Sequence, residues 1–157
     1  MYNLDVFGND NFFVGEGQWL VHNASYAALC KTLKSTGNPA QAHPLNQDAA
    51  YRSMIPHSKG EAWLLVGNAF SGKGTAHYNA HSSMESFWEQ YRTGSLVGNL
   101  PTNRQYEIAL ARSLRNAGLS PSEIKTAVQS ARNQRLSYGL SQSDDVPRLP
   151  GRINQSK

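Results

Sequence analysis

The feature that most limits what this chain can become is a pair of histidines four residues apart, His77 and His81, in the stretch Gly74-Thr75-Ala76-His77-Tyr78-Asn79-Ala80-His81. From His77 onward the sequence reads as a helix, because Met84, Phe87, Trp88 and Tyr91 recur at spacings of three and four. Four residues is slightly more than one helical turn, so the two imidazoles stack on one face. So placed, they can hold one divalent cation through neutral ring nitrogens. The same spacing fits two surface histidines, or two that are hydrogen-bonded near a core. Two ligands do not make a site, and the rest of the chain has to supply the others.

Cys30 is the only cysteine, which excludes an intrachain disulfide and a thiolate-based zinc cluster. Any cation must be held by His, carboxylate, amide or water. At 157 residues the chain is long enough for one domain with a real core and an extra segment. Its hydrophobic share is 39%, and no apolar run approaches a membrane span, so a soluble chain with no membrane partner is expected. Met1-Tyr2-Asn3-Leu4-Asp5 has neither the basic nor the apolar region of a secretory signal. Charge is unevenly placed. All 15 Lys and Arg follow Asn23, where only 8 acidic residues lie, a formal +7 against +4 for the whole chain. Such an excess suits a polyanion, whose phosphates Lys and Arg neutralise with release of counterions. An acidic protein would suit the same surface.

Residues 2–22 alternate as strands do. Tyr2, Leu4 and Val6 share a face, and Phe12-Phe13-Val14 and Trp19-Leu20-Val21 follow, with Gly15-Glu16-Gly17 as a turn. This segment closes on Val21-His22-Asn23-Ala24. An Asn preceded by His at a strand end is suited to backbone cleavage: the amide nitrogen attacks its own carbonyl carbon while the imidazole assists proton transfer. The alternative is an ordinary turn Asn.

Tyr2-Asn3-Leu4-Asp5-Val6, Asn11-Phe12-Phe13-Val14-Gly15 and Leu20-Val21-His22-Asn23 together resemble the last strands of a Hint (intein-like) domain. Such domains precede the C-terminal toxin in Rhs-type and other bacterial polymorphic toxins. The resemblance implies a remnant over residues 1–23, a release site at His22 and Asn23, and a toxin module over residues 24–157. The upstream part of a Hint domain and its nucleophile are lacking here, so self-cleavage is not expected.

Within the module, Ala24 to Ser35 reads as a helix with Tyr26, Leu29, Cys30 and Leu33 on one stripe, ended by Gly37-Asn38-Pro39. Cys30 falls on the apolar side, as a structural thiol would. Asp48 to Met54 is a short helical run broken by Ile55-Pro56-His57, and Glu61 to Val66 is the best strand candidate. The loop Gly67-x4-Gly72-Lys73-Gly74 is not a phosphate loop, because Gly stands where Ser or Thr is needed. Thr102-x-x-Gln105 and Ser120-Pro121-x-Glu123 each match a capping box and open a helix. The first of these helices should pack Tyr106, Leu110 and Leu114, and the second Ile124, Val128, Ala131 and Leu136. Arg104, Arg112, Arg115, Lys125, Arg132 and Arg135 would line a mostly solvated face, some of them within reach of phosphates. From Gln142 the tail reads as extended, with little to order it. The predicted fold is α+β and mainly helical: a ββα-metal core with flanking helices and a short N-terminal β segment.

A His near a strand, a second strand, an Asn-bearing loop and a helix with two His follow one another as His43, Glu61–Val66, Asn68 and His77/His81. That order is the plan of a ββα-metal (His-Asn-His) nuclease. A single cation offsets charge on the phosphate and stabilises the leaving oxygen. A neutral imidazole takes a proton from water. Asn68 would tie down the loop. Ala42-His43-Pro44-Leu45-Asn46-Gln47 and His77-x3-His81 together resemble the His-rich (SHH/AHH-type) nuclease toxins of polymorphic systems, over about residues 40–92. That resemblance implies a divalent ion, Mg, Zn or Ni, on His43, His77 and His81. Lys73, Arg92 and Arg104 are the candidate nucleic-acid contacts.

One departure is serious. The family's first motif has two adjacent His, the first a ligand and the second the base, and here the second is Pro44. Three readings are open: His57 substitutes as base, His43 is itself the base, or Pro44 inactivates the chain. A proline there also removes a backbone N–H and is expected to disturb the local strand. The function implied is a metal-dependent DNase toxin of interbacterial competition, with HNH-type chemistry. It would be released from an Rhs/Hint-containing parent polypeptide and delivered, for example by type VI secretion, into a target bacterium's cytoplasm. An acidic cognate immunity protein would neutralise it. The alternatives are an RNase or tRNase toxin of the same context, or a non-catalytic basic helical module that binds an acidic protein.

Overall fold

The computed structural model describes residues 12–14, 19–21, 24–37 and 39–153. His22 and Asn23, and the segment 2–6 with its expected strand, lie outside the described residues. The two other N-terminal strands have the predicted bounds: β1 (Phe12–Val14) pairs antiparallel with β2 (Trp19–Val21).

The module is α+β and mainly helical. Its order is α1 (Tyr26–Thr36), β3 (Ala40–Pro44), α2 (Asp48–Tyr51), a single 3₁₀ turn (His57–Lys59), β4 (Ala62–Val66), α3 (Ala76–Arg92), α4 (Asn103–Asn116) and α5 (Pro121–Ser137). Each long helix starts where a hydroxyl can satisfy an orphan amide. Ser25 caps α1 and Thr75 caps α3. Both predicted capping boxes form, Thr102 with Gln105 and Ser120 with Glu123. None of the helices is long and apolar enough to cross a membrane, among the described residues.

β3 and β4 form an antiparallel ribbon in which His43 faces Trp63 and Ala42 faces Leu64. Strand alternation gives the ribbon two different faces. Ala42 and Ala62 join Ala24 and Leu29 in a small cluster under α1, where short side chains let the helix lie close. Gln41 and His43 share the opposite face, toward α3. Pro44 does not disturb the strand. The amide of Ala62, its partner, points away from β3 to the carbonyl of Ala24 at 3.4 Å. The pair Pro44/Ala62 is therefore a non-hydrogen-bonded one, and the missing N–H of Pro44 falls on the outer edge, where no ladder bond is lost.

The main core is helical. Met84 and Trp88 of α3 pack with Tyr106, Leu110 and Leu114 of α4, with Ile124, Ala127 and Ala131 of α5, and with Leu45, Tyr51 and Ile55. Polar tips inside it are satisfied. Tyr106 donates to the Leu45 carbonyl at 2.7 Å and accepts from the Gln47 amide at 2.9 Å, and Trp88 donates to Gln47 at 2.5 Å. The segment that leaves β3 is thus clamped to α3 and α4.

Three expectations are corrected here. Leu136 is 51% exposed, because the inward face of α5 runs through Ile124, Ala127, Ala131 and Arg135. Arg135, expected on a solvated face, is 1% exposed. It donates to Asn46 at 2.7 Å and to Glu107 at 2.8 Å, so its charge is paired inside the core. The tail is ordered: Val146 is fully buried, its amide bonds the Pro101 carbonyl at 2.8 Å, and the amide of Asn103 bonds the Asp144 carbonyl at 2.8 Å. A short sequence with few apolar residues is ordered here by backbone hydrogen bonds to the start of α4, which no periodicity records.

Candidate metal centre

The ribbon and α3 together bring three imidazoles into one place. His43 comes from β3, and His77 and His81 from the first two turns of α3. One ring nitrogen from each lies within 4.8 Å of the others. The ring centroids are 5.3 Å apart for His43 and His77, 5.0 Å for His43 and His81, and 4.9 Å for His77 and His81. His43 is 0% exposed and His77 4%.

The unpaired atoms show what the cluster suits. Both ring nitrogens of His43, Nε2 of His77 and Nδ1 of His81 are buried without a hydrogen-bond partner among the described residues. Buried polar atoms normally have partners. One such nitrogen from each ring, three in all, lies close enough to the others to share one divalent cation, in neutral imidazole form. Burial lowers the pKa of all three rings. For His43 the neighbouring His81 and His77 add to burial, and for His81, held down to about 4, His77 adds to it. At neutral pH the cluster is uncharged and needs no proton displaced before a cation binds.

His77 is oriented by its other nitrogen. Nδ1 lies 3.0 Å from Gln41 Oε1 and 3.3 Å from the Gly67 carbonyl. Both partners accept, so Nδ1 carries the proton and the Nε2 lone pair faces the cluster. Gly67 holds its carbonyl there at φ 97°, a left-handed conformation, and a methyl group on it would collide with Thr75, the cap of α3.

A cavity of about 720 Å³ opens beside the cluster. Every residue of β3 lines it and none of β4 does, which places it along the strand edge that β4 leaves uncovered. Tyr26, Cys30 and Leu33 of α1 form an apolar wall, so Cys30 is a half-buried wall residue rather than a core one. His57 reaches the same cavity and also shares a narrower crevice with Pro44. Its Nδ1 is 3.2 Å from Asp48, whose other oxygen pairs with Arg52 at 2.7 Å, and its ring lies 4.3 Å from that of Tyr26.

The remaining predicted site residues fall elsewhere. Asn68 is exposed and uses its side-chain oxygen on the amides of Phe70 and Ser71, at 2.8 and 3.0 Å, so it braces its own loop and does not line the cavity. Lys73 is exposed on that loop, and Arg104 is exposed on the first turn of α4. Arg92 is not a free cation: its side chain is 10% exposed, pairs with Glu85 and Glu89, and donates to the carbonyls of Pro150 and Gly151 at 3.2 and 3.1 Å. Gln41, Asp48, Gly67 and Glu85 were not foreseen as site residues. Of these, Glu85 had a legible signal, since it continues the spacing of His77 and His81 by one more turn.

Compared with known proteins, the chain matches no family model, no curated protein and no solved structure.

Proposed function

We propose that the module is a metal-dependent endonuclease, with His43, His77 and His81 holding one divalent cation. The single observation behind this is the convergence of three largely buried imidazoles, one from a β-ribbon and two from the helix that follows it, each with a buried nitrogen that has no partner among the described residues. The β3–β4–α3 order fits a ββα-metal core. A cation bound there supplies Lewis-acid stabilisation of charge on a phosphate and its leaving oxygen.

The protein's own part is the base and the approach. His57 is the base in this reading. Asp48 accepts from Nδ1–H, so Nε2 is free to take the proton of the attacking water as its oxygen bonds phosphorus and the P–O ester bond breaks. His57 stands beside Pro44, so the imidazole missing at 44 is supplied from elsewhere in the chain. Lys73 and Arg104, both exposed, are the cations offered to the nucleic-acid backbone. The biological role proposed with this chemistry is that of a C-terminal toxin, freed at Asn23 and held in check by an acidic immunity protein.

Supercoiled plasmid, with structured RNA in parallel, tests the reading in the presence of magnesium, nickel or zinc. Cleavage abolished by EDTA is the expected result, and the nucleic acid that is cut separates DNase from RNase. No bound cation and no cleavage would leave the basic module as a protein-binding one.

A further inference from the structure

α3 carries a third polar residue on the histidine face. Glu85 follows His81 by four residues and lines the same cavity as His43, His77 and His81. Its two carboxylate oxygens are treated differently. Oε1 is held by Arg92, which Glu89 and the carbonyls of Pro150 and Gly151 fix in turn. Oε2 is buried and has no hydrogen-bond partner among the described residues. A desolvated carboxylate oxygen without a donor is costly, and more so than a neutral acceptor. The chain keeps it one helical turn from a cluster of three neutral imidazoles, in a wall otherwise largely apolar.

The cost has a physical outlet. Three neutral histidines leave both charges of a divalent ion uncompensated, and in a site of low dielectric a nearby carboxylate offsets much of that. Glu85 is not one of the three closely grouped donors, so it acts from outside the immediate ligand set. We infer that Glu85 is the acidic positioning residue of the metal centre: its free carboxylate oxygen faces the site and sets its affinity for a divalent cation, while Arg92 holds the other oxygen. This rests on the cation-binding reading of the three histidines. Gln41 and the Gly67 carbonyl serve His77 in the corresponding way, through hydrogen bonds instead of charge.

The test is titration of the metal-free protein with zinc and with cobalt(II), by calorimetry and by the cobalt absorption spectrum, alongside thermal melts of the metal-free form. Glu85→Gln keeps the shape and one acceptor but removes the charge. It is expected to bind either ion about 10–100-fold more weakly, with the metal-free melting temperature unchanged or raised. Glu85→Asp keeps the charge and is expected to bind more tightly than Glu85→Gln, which guards against a glutamine variant that folds poorly. Glu89→Gln loses an exposed partner of Arg92 and is expected to bind as wild type does. Equal affinity in wild type and Glu85→Gln would overturn the inference and leave the three-histidine centre standing. So would an affinity loss in Glu89→Gln matching that in Glu85→Gln, since the effect would then be structural. A wild-type protein that binds neither ion would overturn both.

Discussion

Nδ1 of His77 lies 3.0 Å from Oε1 of Gln41, a side chain two residues before His43 on the same face of β3. One hydrogen bond therefore couples the strand that carries one imidazole to the helix that carries the other two. It also sets the tautomer of His77. Replacing Gln41 by Leu should leave the fold intact and weaken cation binding by about 10–100-fold, as loss of an outer-shell partner does. Calorimetric titration with zinc measures this, and an unchanged affinity would mean that the Gly67 carbonyl alone orients the ring.

His77→Ala and His81→Ala each remove one of three protein donors. Either change is expected to abolish stoichiometric metal content and plasmid cleavage together, while circular dichroism stays that of a helical protein. If cleavage outlasts the loss of metal, the chemistry is not metal-dependent.

His57→Ala should separate chemistry from binding. Loss of a general base costs about 10²–10⁴-fold in rate, and metal content should be untouched because His57 lies outside the donor group. Pro44→His restores an imidazole beside His57 and should rescue the His57→Ala variant. Activity that appears only with Pro44→His would instead mark the natural chain as a disarmed form.

Stability of the metal-free protein should fall with acid. Burial, reinforced by mutual repulsion, keeps His43 and His81 neutral in the folded state below the usual 6.5, His81 down to about 4. Below 6.5 the unfolded chain takes up protons that the folded one refuses, so stability is lost as pH falls toward 4. Above 6.5 both states are neutral at these rings and they contribute no slope. Melting temperatures across that window should drop, and the drop should be shallower in His81→Gln.

Glu107 accepts from Arg135 at 2.8 Å and is 7% exposed, while Arg135 is buried in the core. Glu107→Ala leaves that guanidinium with Asn46 alone among its side-chain acceptors. A loss of about 3–5 kcal/mol is expected in urea unfolding, the usual range when one member of a buried pair is removed. A loss below 1 kcal/mol, roughly the worth of an exposed pair, would show that the pair is solvated.

Local signals carried most of the elements. The caps at Thr102 and Ser120, the stripe of Met84, Trp88 and Tyr91, and the strand from Ala62 are each set by interactions within a few residues, so they can be read along the chain. The exposure of Leu136 is not legible along the chain, because one position along a helix turns a side chain by about 100° and only the partner helix shows which neighbour faces inward. The order of the tail and the burial of Arg135 depend on partners remote in sequence, Pro101 and Glu107, which leave no periodic trace.

By itself the sequence determined which groups were available: two imidazoles one turn apart, a third upstream of a strand, no thiolate pair, and no imidazole at position 44. Only the tertiary structure decided that His43 meets the pair on α3, that His57 and Asp48 come round beside Pro44, and that Arg92 is taken up by Glu85 and the tail. The physical reason is distance along the chain. Spacing fixes neighbours on one helix, but whether a strand residue reaches them depends on ribbon register and on which face each element buries, and those are settled by the packing of all the elements at once.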